Sequence, residues 1–374
     1  MQEIIISEAN AGQRLNKFLG KYLDDAPQSF VYKMLRKKNI KVNKGKATGN
    51  EVLQLGDTVQ IFMTDDTIAN FRKDKRVPVF ADSCITSVFN LKQEDELNTT
   101  ETRLMNRADR KVVDALRDVP VLYEDDNIII LNKPAGMLSQ KAEASDYSLN
   151  ERIVDYYNDK ESANPLFTPS VCNRLDRNTS GIILAGMSLK GSQMLSRILK
   201  DRTLDKYYLT IVSGRVEQAS TIKGFLAKKA SHNQVVVYES LEQAKKHGVD
   251  KPAFIETRYE PLDYGKFQNM EFTLLKVKLI TGKTHQIRAH LRSVGHPIIG
   301  DGKYGLKSVN AVIKKEFGLK HQLLHAYEIT FPKNFELAKE LSGKQIHATL
   351  PKEFTTILHS LQMHFAIVTD INEI

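Results

Sequence analysis

Apolar residues recur along the chain at two spacings. Near the start, Ile4, Ile5 and Ile6 form a short run that reads as a strand. Leu15, Phe18, Leu19, Tyr22 and Leu23 then fall at the period of one helix face. That helix ends before Pro27, and Ser29 is placed to cap a second one bearing Phe30, Val31, Met34 and Leu35. Residues 40–42 and 59–62 have strand character, with turn signals at Gly45 and at Leu55, Gly56 and Asp57. Residues 1–63 therefore read as one small α+β module.

The pattern breaks after residue 63. Residues 93–102 are polar, acidic and turn-rich, and 110–116 resume a short helical pattern, so 64–119 reads as a linker with an insertion. A larger domain is expected over 120–374. Residues 121–123 and 128–131 predict a hairpin across Glu124, Asp125, Asp126 and Asn127, and Lys133, Pro134 and Gly136 break its second strand. An apolar strand at 181–187 leads into a helix from Ser188 that carries Leu189, Met194, Leu195, Ile198 and Leu199. Strands follow at 207–212, 234–238, 254–259 and 272–280, then a helix at 284–294 closed by Gly295. Short strands in runs with interspersed helices predict an α+β class with a large, mainly antiparallel mixed sheet and flanking helices. The chain has no G-x-G-x-x-G after a strand and no P-loop, which argues against a nucleotide cofactor.

Composition narrows the function classes. The 374 residues are 41% hydrophobic and 26% charged, which excludes a disordered chain. Lys and Arg number 54 against 45 Asp and Glu, and the net charge of +9 suits a polyanionic partner. The apolar runs are far shorter than the roughly 18–20 residues that span a bilayer, and the first twelve residues lack a secretion-signal layout. A cytoplasmic protein without membrane contact is expected. Cys84 and Cys172 form no C-x-x-C pair, and no Glu follows His321 in the His321/His325 pair, so no metal site is expected. Residues 28–46 hold seven basic side chains and no acidic one. Because that charge continues from a helix into a strand and turn, a phosphate-contacting surface is the favoured reading over a merely solvated face.

Three segments carry candidate chemistry. Asp176 lies between Arg174 and Arg177 in a polar turn that leads straight into an apolar strand. Flanking cations favour a carboxylate, available as a nucleophile, although the same pattern fits an Asp that caps a turn and bridges two surface arginines. Arg288 sits off the Ile287, Leu291 and Val294 stripe, where it either reaches toward a carboxylate or is simply solvated. Tyr208 shares a strand face with Thr210 and Val212, which fits a core position and also a stacking surface for a base. The Lys133 and Pro134 bend reads as structural.

Taken in order, these segments resemble the RluA-type pseudouridine synthases over about residues 121–332. Asn173-Arg174-Leu175-Asp176-Arg177-Asn178-Thr179-Ser180-Gly181 is similar to that family's H-R-L-D-[RK]-x-T-[ST]-G motif. Leu131-Asn132-Lys133-Pro134-Ala135-Gly136 resembles its N-K-P-x-G segment, Lys206-Tyr207-Tyr208 its K-x-Y, and Thr281-Gly282-Lys283-Thr284-His285-Gln286-Ile287-Arg288 its T-G-R-x-H-Q-I-R. Residues 12–62 resemble the small RNA-binding domain of the ribosomal-protein S-four type.

The resemblance implies the pseudouridine synthase fold and an enzyme that isomerises uridine in RNA, with 23S ribosomal RNA the favoured substrate. It implies Asp176 as nucleophile, Arg288 as its partner, and Tyr208 packed on the uracil and able to take the ring-carbon proton. Arg174 would enter the RNA stack, and Arg14, Lys33, Arg36, Lys37, Lys38 and Lys41 would contact RNA from the N-terminal module. No cofactor or metal is implied, since the reaction exchanges one bond for another within a nucleotide. The partner is RNA, free or in an assembling ribosomal particle, and the protein is expected to be a monomer. A transfer-RNA enzyme and a non-catalytic ribosome-assembly factor remain as alternatives. Asn173 and Lys283 replace the family's His and Arg, from which altered local hydrogen bonding is expected and not lost catalysis.

Overall fold

The structure, a computed structural model, describes residues 2–7, 10–72, 115–160, 163–164, 166–229 and 234–365. Cys84, the acidic stretch at 93–102 and most of the helical pattern at 110–116 lie outside them. The chain divides into two compact units, one of Met1–Ala115, Val154–Pro169 and Ser188–Lys190, the other of Leu116–Ile153, Ser170–Met187 and Gly191–Ile374.

In the first unit, β1 (Gln2–Ile5), α1 (Leu15–Tyr22), α2 (Gln28–Arg36), β2 (Ile40–Val42), β3 (Gly45–Lys46), β4 (Thr58–Ile61) and α3 (Asp65–Asn70) follow in order. The four strands form an antiparallel sheet in the order β1-β4-β2-β3. Ile4, Leu15, Phe18, Leu19, Val31, Leu35, Ile40, Val59 and Ile61 fill one core, so the helical and strand periods point at the same interior. Two expectations fail here. Ser29 is not a cap: α2 starts at Gln28 behind Pro27, whose ring presets the entry and leaves Ser29 already inside the first turn. Gly45 is not the turn either, because Asn43 and Lys44 take the positive φ values, 50° and 64°, that a two-residue hairpin of this twist requires.

The second unit carries β5 (Val121–Glu124), β6 (Ile128–Lys133), α4 (Leu149–Asn158, which runs on into the first unit), β7 (Ser170–Val171), β8 (Ser180–Gly186), α5 (Leu189–Lys200) and β9 (Asp205–Ser213). Then come β10 (Ser220–Lys229), β11 (Gln234–Tyr238), α6 (Leu241–Lys246), β12 (Ala253–Phe267), β13 (Met270–Leu279), α7 (Gln286–Ser293), α8 (Lys307–Phe317), β14 (Leu324–Thr330), β15 (Gln345–His347) and α9 (Lys352–Ser360). Eleven strands make one mixed sheet in the order β11-β10-β12-β13-β9-β14-β8-β6-β5, with β7 paired to β8 and β15 to β14. Every pair is antiparallel except β8 with β14. This is the α+β class expected, with helices flanking a mainly antiparallel sheet.

β6 and β8 are buried along their whole length, which is why they read as unbroken apolar runs. Ile128, Ile130, Ile182 and Leu184 pack with Leu195 and Ile198 of α5. Leu209, Ile211, Phe272 and Leu274 pack with Val309 and Ile313 of α8 and Phe354 and Ile357 of α9. β12 runs past its expected end because the register shifts between Pro261 and Asp263, a bulge that breaks the alternation without ending the strand. No helix among the described residues is long and apolar enough to cross a membrane.

Candidate active site around Asp176

Asp176 lies in the loop between β7 and β8, and its chain neighbours are fastened on both sides. Cys172 N donates to Leu184 O at 2.7 Å. Asn173 continues that ladder with its side chain, Nδ2 donating to Ile182 O at 3.2 Å and Oδ1 accepting from Leu184 N at 2.7 Å. The Asn173 amide thus ties the loop to β8. Ser139 Oγ both donates to Leu175 O and accepts from Leu175 N, each at 3.0 Å. Arg177 O accepts from Gly136 N at 2.9 Å and from Lys133 Nζ at 3.1 Å.

Lys133 spends its other two protons on Pro134 O at 2.9 Å and Met137 O at 2.8 Å, and its side chain is fully buried. Burial pulls this ammonium down to about 7, while the charge of Asp176 pulls it up. The bend read as structural therefore fixes the backbone on either side of Asp176, leaving the carboxylate as the projecting group.

On the far side of the loop, Gly181 of β8 meets β14. Its φ is +112°, and a Cβ there would lie 2.2 Å from Ala326 O, so no side chain fits. Ser180 Oγ bonds His325 Nδ1 at 2.8 Å, and His325 Nε2 bonds Ala348 O at 3.2 Å. His321 instead faces Glu353 at 3.6 Å, so this histidine pair does not converge on one point.

Arg174 and Arg177 are both exposed and neither pairs with Asp176. The expected bracket of neighbouring arginines is replaced by Arg288, 112 positions away, whose Nη1 donates to Asp176 Oδ2 at 2.7 Å. Arg288 is only 5% exposed, which excludes the solvated alternative. Asp301, whose side chain is fully buried, grips the other edge of the same guanidinium, Oδ2 accepting from Nε at 2.7 Å and Oδ1 from Nη2 at 2.9 Å. Asp301 Oδ1 also accepts from Lys303 N at 2.8 Å and Tyr304 N at 3.0 Å.

Burial pushes the Asp301 carboxyl up, and the guanidinium with these two backbone amides outweighs it, leaving Asp301 below the usual carboxylate range. Arg288 is driven above its ordinary value by its two carboxylates against the opposing effect of burial. The pair Asp176 and Arg288 is thus one edge of a fixed Asp–Arg–Asp array.

Among the described residues the ion-pair contacts of Asp176 run to Oδ2, from Arg288 at 2.7 Å and from His285 Nε2 at 3.8 Å. Oδ1 is uncommitted among the described residues, and the Asp176 side chain is 24% exposed. One oxygen is anchored and the other is open, the arrangement a carboxylate nucleophile needs. Tyr208 on β9 is 7% exposed, and its phenol is pushed up, first by burial and then by the charge of Asp176. The ring is a neutral apolar surface beside the carboxylate. To accept a proton, its hydroxyl has first to give its own away.

His290 and His325 are fully buried, and burial pushes each imidazole down to about 4 from an ordinary 6.5. Both are neutral in the folded protein, where the unfolded chain takes up protons below 6.5. Stability is therefore expected to fall as pH drops from about 6.5 to about 4, by about 1.4 kcal/mol per pH unit for each histidine. Urea unfolding across that range checks it, and a flat profile down to pH 4.5 would refute the assignment.

In the first unit, Arg14, Lys33, Arg36, Lys37 and Lys38 are exposed and form no ion pair among the described residues. Lys41 is half-buried, with its ammonium 5.0 Å above the Phe62 ring. Sequence reasoning missed Ser139, Asp301, Tyr304 and any separate part for His285. Gly300-Asp301-Gly302-Lys303-Tyr304-Gly305 signals only a turn, although an Asp with two free backbone amides ahead of it was readable there.

Residues 127–293 match the family model described as RNA pseudouridylate synthase. "Ribosomal large subunit pseudouridine synthase C" of Haemophilus influenzae is 30% identical over 367 residues, covering 96% of this chain and 94% of the relative. The protein of the same name from Vibrio cholerae is 30% identical over 331 residues, covering 88% of this chain and 89% of the relative. Among solved structures, "Human RNA Pseudouridylate Synthase Domain Containing 4" superposes with a TM-score of 0.52 at 18% identity, covering 70% of this chain and 99% of that one.

Proposed function

The chain belongs to the RNA pseudouridine synthase family, and from that premise we propose that it isomerises uridines of large-subunit ribosomal RNA with Asp176 as the nucleophile. The enzyme class follows from the family. The choice of RNA is supported by the relatives' names, which specify the ribosomal large subunit. The choice of nucleophile rests on one observation, the Asp176 carboxylate with Oδ2 anchored by Arg288 and Oδ1 open.

In this reading the glycosidic C–N bond of the target uridine breaks, a C–C bond forms to the same ribose, and the proton lost from that ring carbon is balanced by one taken up at the freed ring nitrogen. Asp176 Oδ1 forms the transient covalent bond, Arg288 and Asp301 keep the carboxylate aimed, and Tyr208 packs against the uracil. A base stacked in a helix is out of reach of a carboxylate held in a loop fastened to a sheet, so the target nucleotide has to be unstacked. Arg174, exposed at the loop, is suited to filling the space that base vacates.

Residues 1–63 act as the RNA-holding module of the ribosomal-protein S-four type, 64–119 as the connection and 120–374 as the catalytic domain. Arg14, Lys33, Arg36, Lys37, Lys38 and Lys41 contact phosphates. The protein works as a cytoplasmic monomer. Lys37→Glu with Lys38→Glu is expected to weaken RNA binding and to lower its salt slope by roughly one for each phosphate these lysines neutralise. Titrations at several salt concentrations read this directly, and an unchanged slope removes these residues from the interface.

Pseudouridine mapping on RNA from cells lacking the protein, with and without wild type supplied back, tests the proposal as a whole. Loss and restoration at large-subunit positions supports it. A change confined to transfer RNA moves the substrate there, and no change at any site favours a binding factor.

A further inference from the structure

His285 occupies a position that its backbone does not favour. Its φ is 56° and ψ 14°, the left-handed region, and it stands at the N-cap of α7 without making a side-chain cap bond. Glycine suits that conformation better, and Asn or Asp would suit both the conformation and the cap. Histidine is among the residues that enter this conformation more readily than most, but with no cap bond the ring has no local role there. Strain held at one residue calls for what the side chain does.

The ring is 8% exposed and lies between two partners. Nδ1 is 3.1 Å from the Tyr304 hydroxyl, and Nε2 is 3.8 Å from Asp176 Oδ2. The Tyr304 oxygen already accepts the Val235 N–H at 2.9 Å, so its own proton is free to go to Nδ1. That leaves the single proton of a neutral ring on Nε2, facing the carboxylate. The opposite tautomer turns a lone pair toward Asp176, which is repulsive.

Resting on the reading that Asp176 is the nucleophile, we propose that His285, locked by Tyr304 in its Nε2–H tautomer, is a positioning residue that donates to Asp176 Oδ2. Arg288 and His285 then hold one oxygen from two directions, which removes rotation of the carboxylate and leaves Oδ1 presented to the nucleotide. At 3.8 Å, Nε2 stands just beyond hydrogen-bond reach of Oδ2 in the free protein, and the donation proposed is one that forms as substrate fills the site. Charged or titratable groups facing the ring are Asp176, Arg288, Asp301, Lys303 and Tyr304. Burial lowers the imidazole, and Arg288 and Lys303 lower it further against the pull of the carboxylates, so the ring stays neutral beside the guanidinium. A neutral donor shares the carboxylate without a second full positive charge competing with Arg288.

The first test needs no RNA. Nitrogen NMR of histidine-labelled full-length protein near neutral pH reads the tautomer of His285. The expected result is the neutral Nε2–H form in wild type and a mixture in Tyr304→Phe. An Nδ1–H form or an imidazolium overturns the inference.

The second test is single-turnover kinetics on unmodified large-subunit RNA. His285→Gly relieves the backbone and deletes the ring, so it is expected to fold as well as wild type and bind RNA within about twofold. Its rate constant should be lower by about 10- to 100-fold. Tyr304→Phe should cost less in wild type and nothing further in His285→Gly. A fast His285→Gly, or losses that multiply, refutes the inference. Inactive wild type on this RNA counts against the substrate proposal instead, and the tautomer then decides for His285.

Discussion

Asp176→Asn is expected to abolish pseudouridine formation, by at least about 10⁴-fold in single turnover, while RNA affinity and unfolding midpoint stay near wild type. The amide is nearly the size of the carboxylate, and the backbone on both sides is fixed by Ser139, Gly136 and Lys133, so the loop has no reason to move. An amide oxygen at that position can still accept from Arg288. What is lost is the negative charge and nucleophilicity of Oδ1. Retention of more than about one per cent of the rate would show that Asp176 is a binding group and that the covalent chemistry belongs elsewhere.

The second large effect concerns stability and rate together. Arg288→Leu leaves Asp301 buried with its charge uncompensated, and removing one partner of such a pair costs about 3–5 kcal/mol. It also frees Asp176 to rotate. Arg288→Lys keeps the positive charge on a single nitrogen, which cannot donate to both carboxylates as the planar fork does. The expected order for both unfolding free energy and turnover is therefore wild type, then Arg288→Lys, then Arg288→Leu. Denaturant titrations and single-turnover rates measure the two quantities independently. Equal stability of wild type and Arg288→Leu would mean that Asp301 finds another partner.

The elements that were legible in the sequence are those whose periodicity and burial coincide. β6 and β8 read as apolar runs because both are covered along their whole length, and α7 read as a helix because Ile287 and Leu291 face the interior while Gly295 closes it. β10, β14, α8 and α9 were not read: the pattern of β10 is interrupted although its partners β11 and β12 follow it directly, and β14, α8 and α9 pack against strands far away in the chain. The site divides in the same way. Asp176, Tyr208 and Arg288 stand in motifs, and the structure brings Arg288 onto Asp176 across 112 positions. Their supports were hidden, because a hydroxyl such as Ser139 or a turn residue such as Asp301 has no local reason to be singled out. Only the folded chain, with α7 laid beside that turn, gives Asp301 a guanidinium to hold. The flanking arginines misled for the opposite reason, since closeness in sequence put positive charge near Asp176 but the loop turned both side chains to solvent.

β8 gains its partners at very different times. Antiparallel β6 and β7 precede it, whereas parallel β14 arrives late, Ser180 meeting His325 from 145 positions downstream. At roughly 5–20 residues per second of synthesis, that interval is on the order of ten seconds. Throughout it the nascent chain carries Asp176 without the strand that closes its loop, and for most of it without Arg288, while all four strands of the basic first unit's sheet have been made. Competence for chemistry should therefore switch on in one step once β14 has been made, and a half-made enzyme bound to RNA leaves that RNA unaltered.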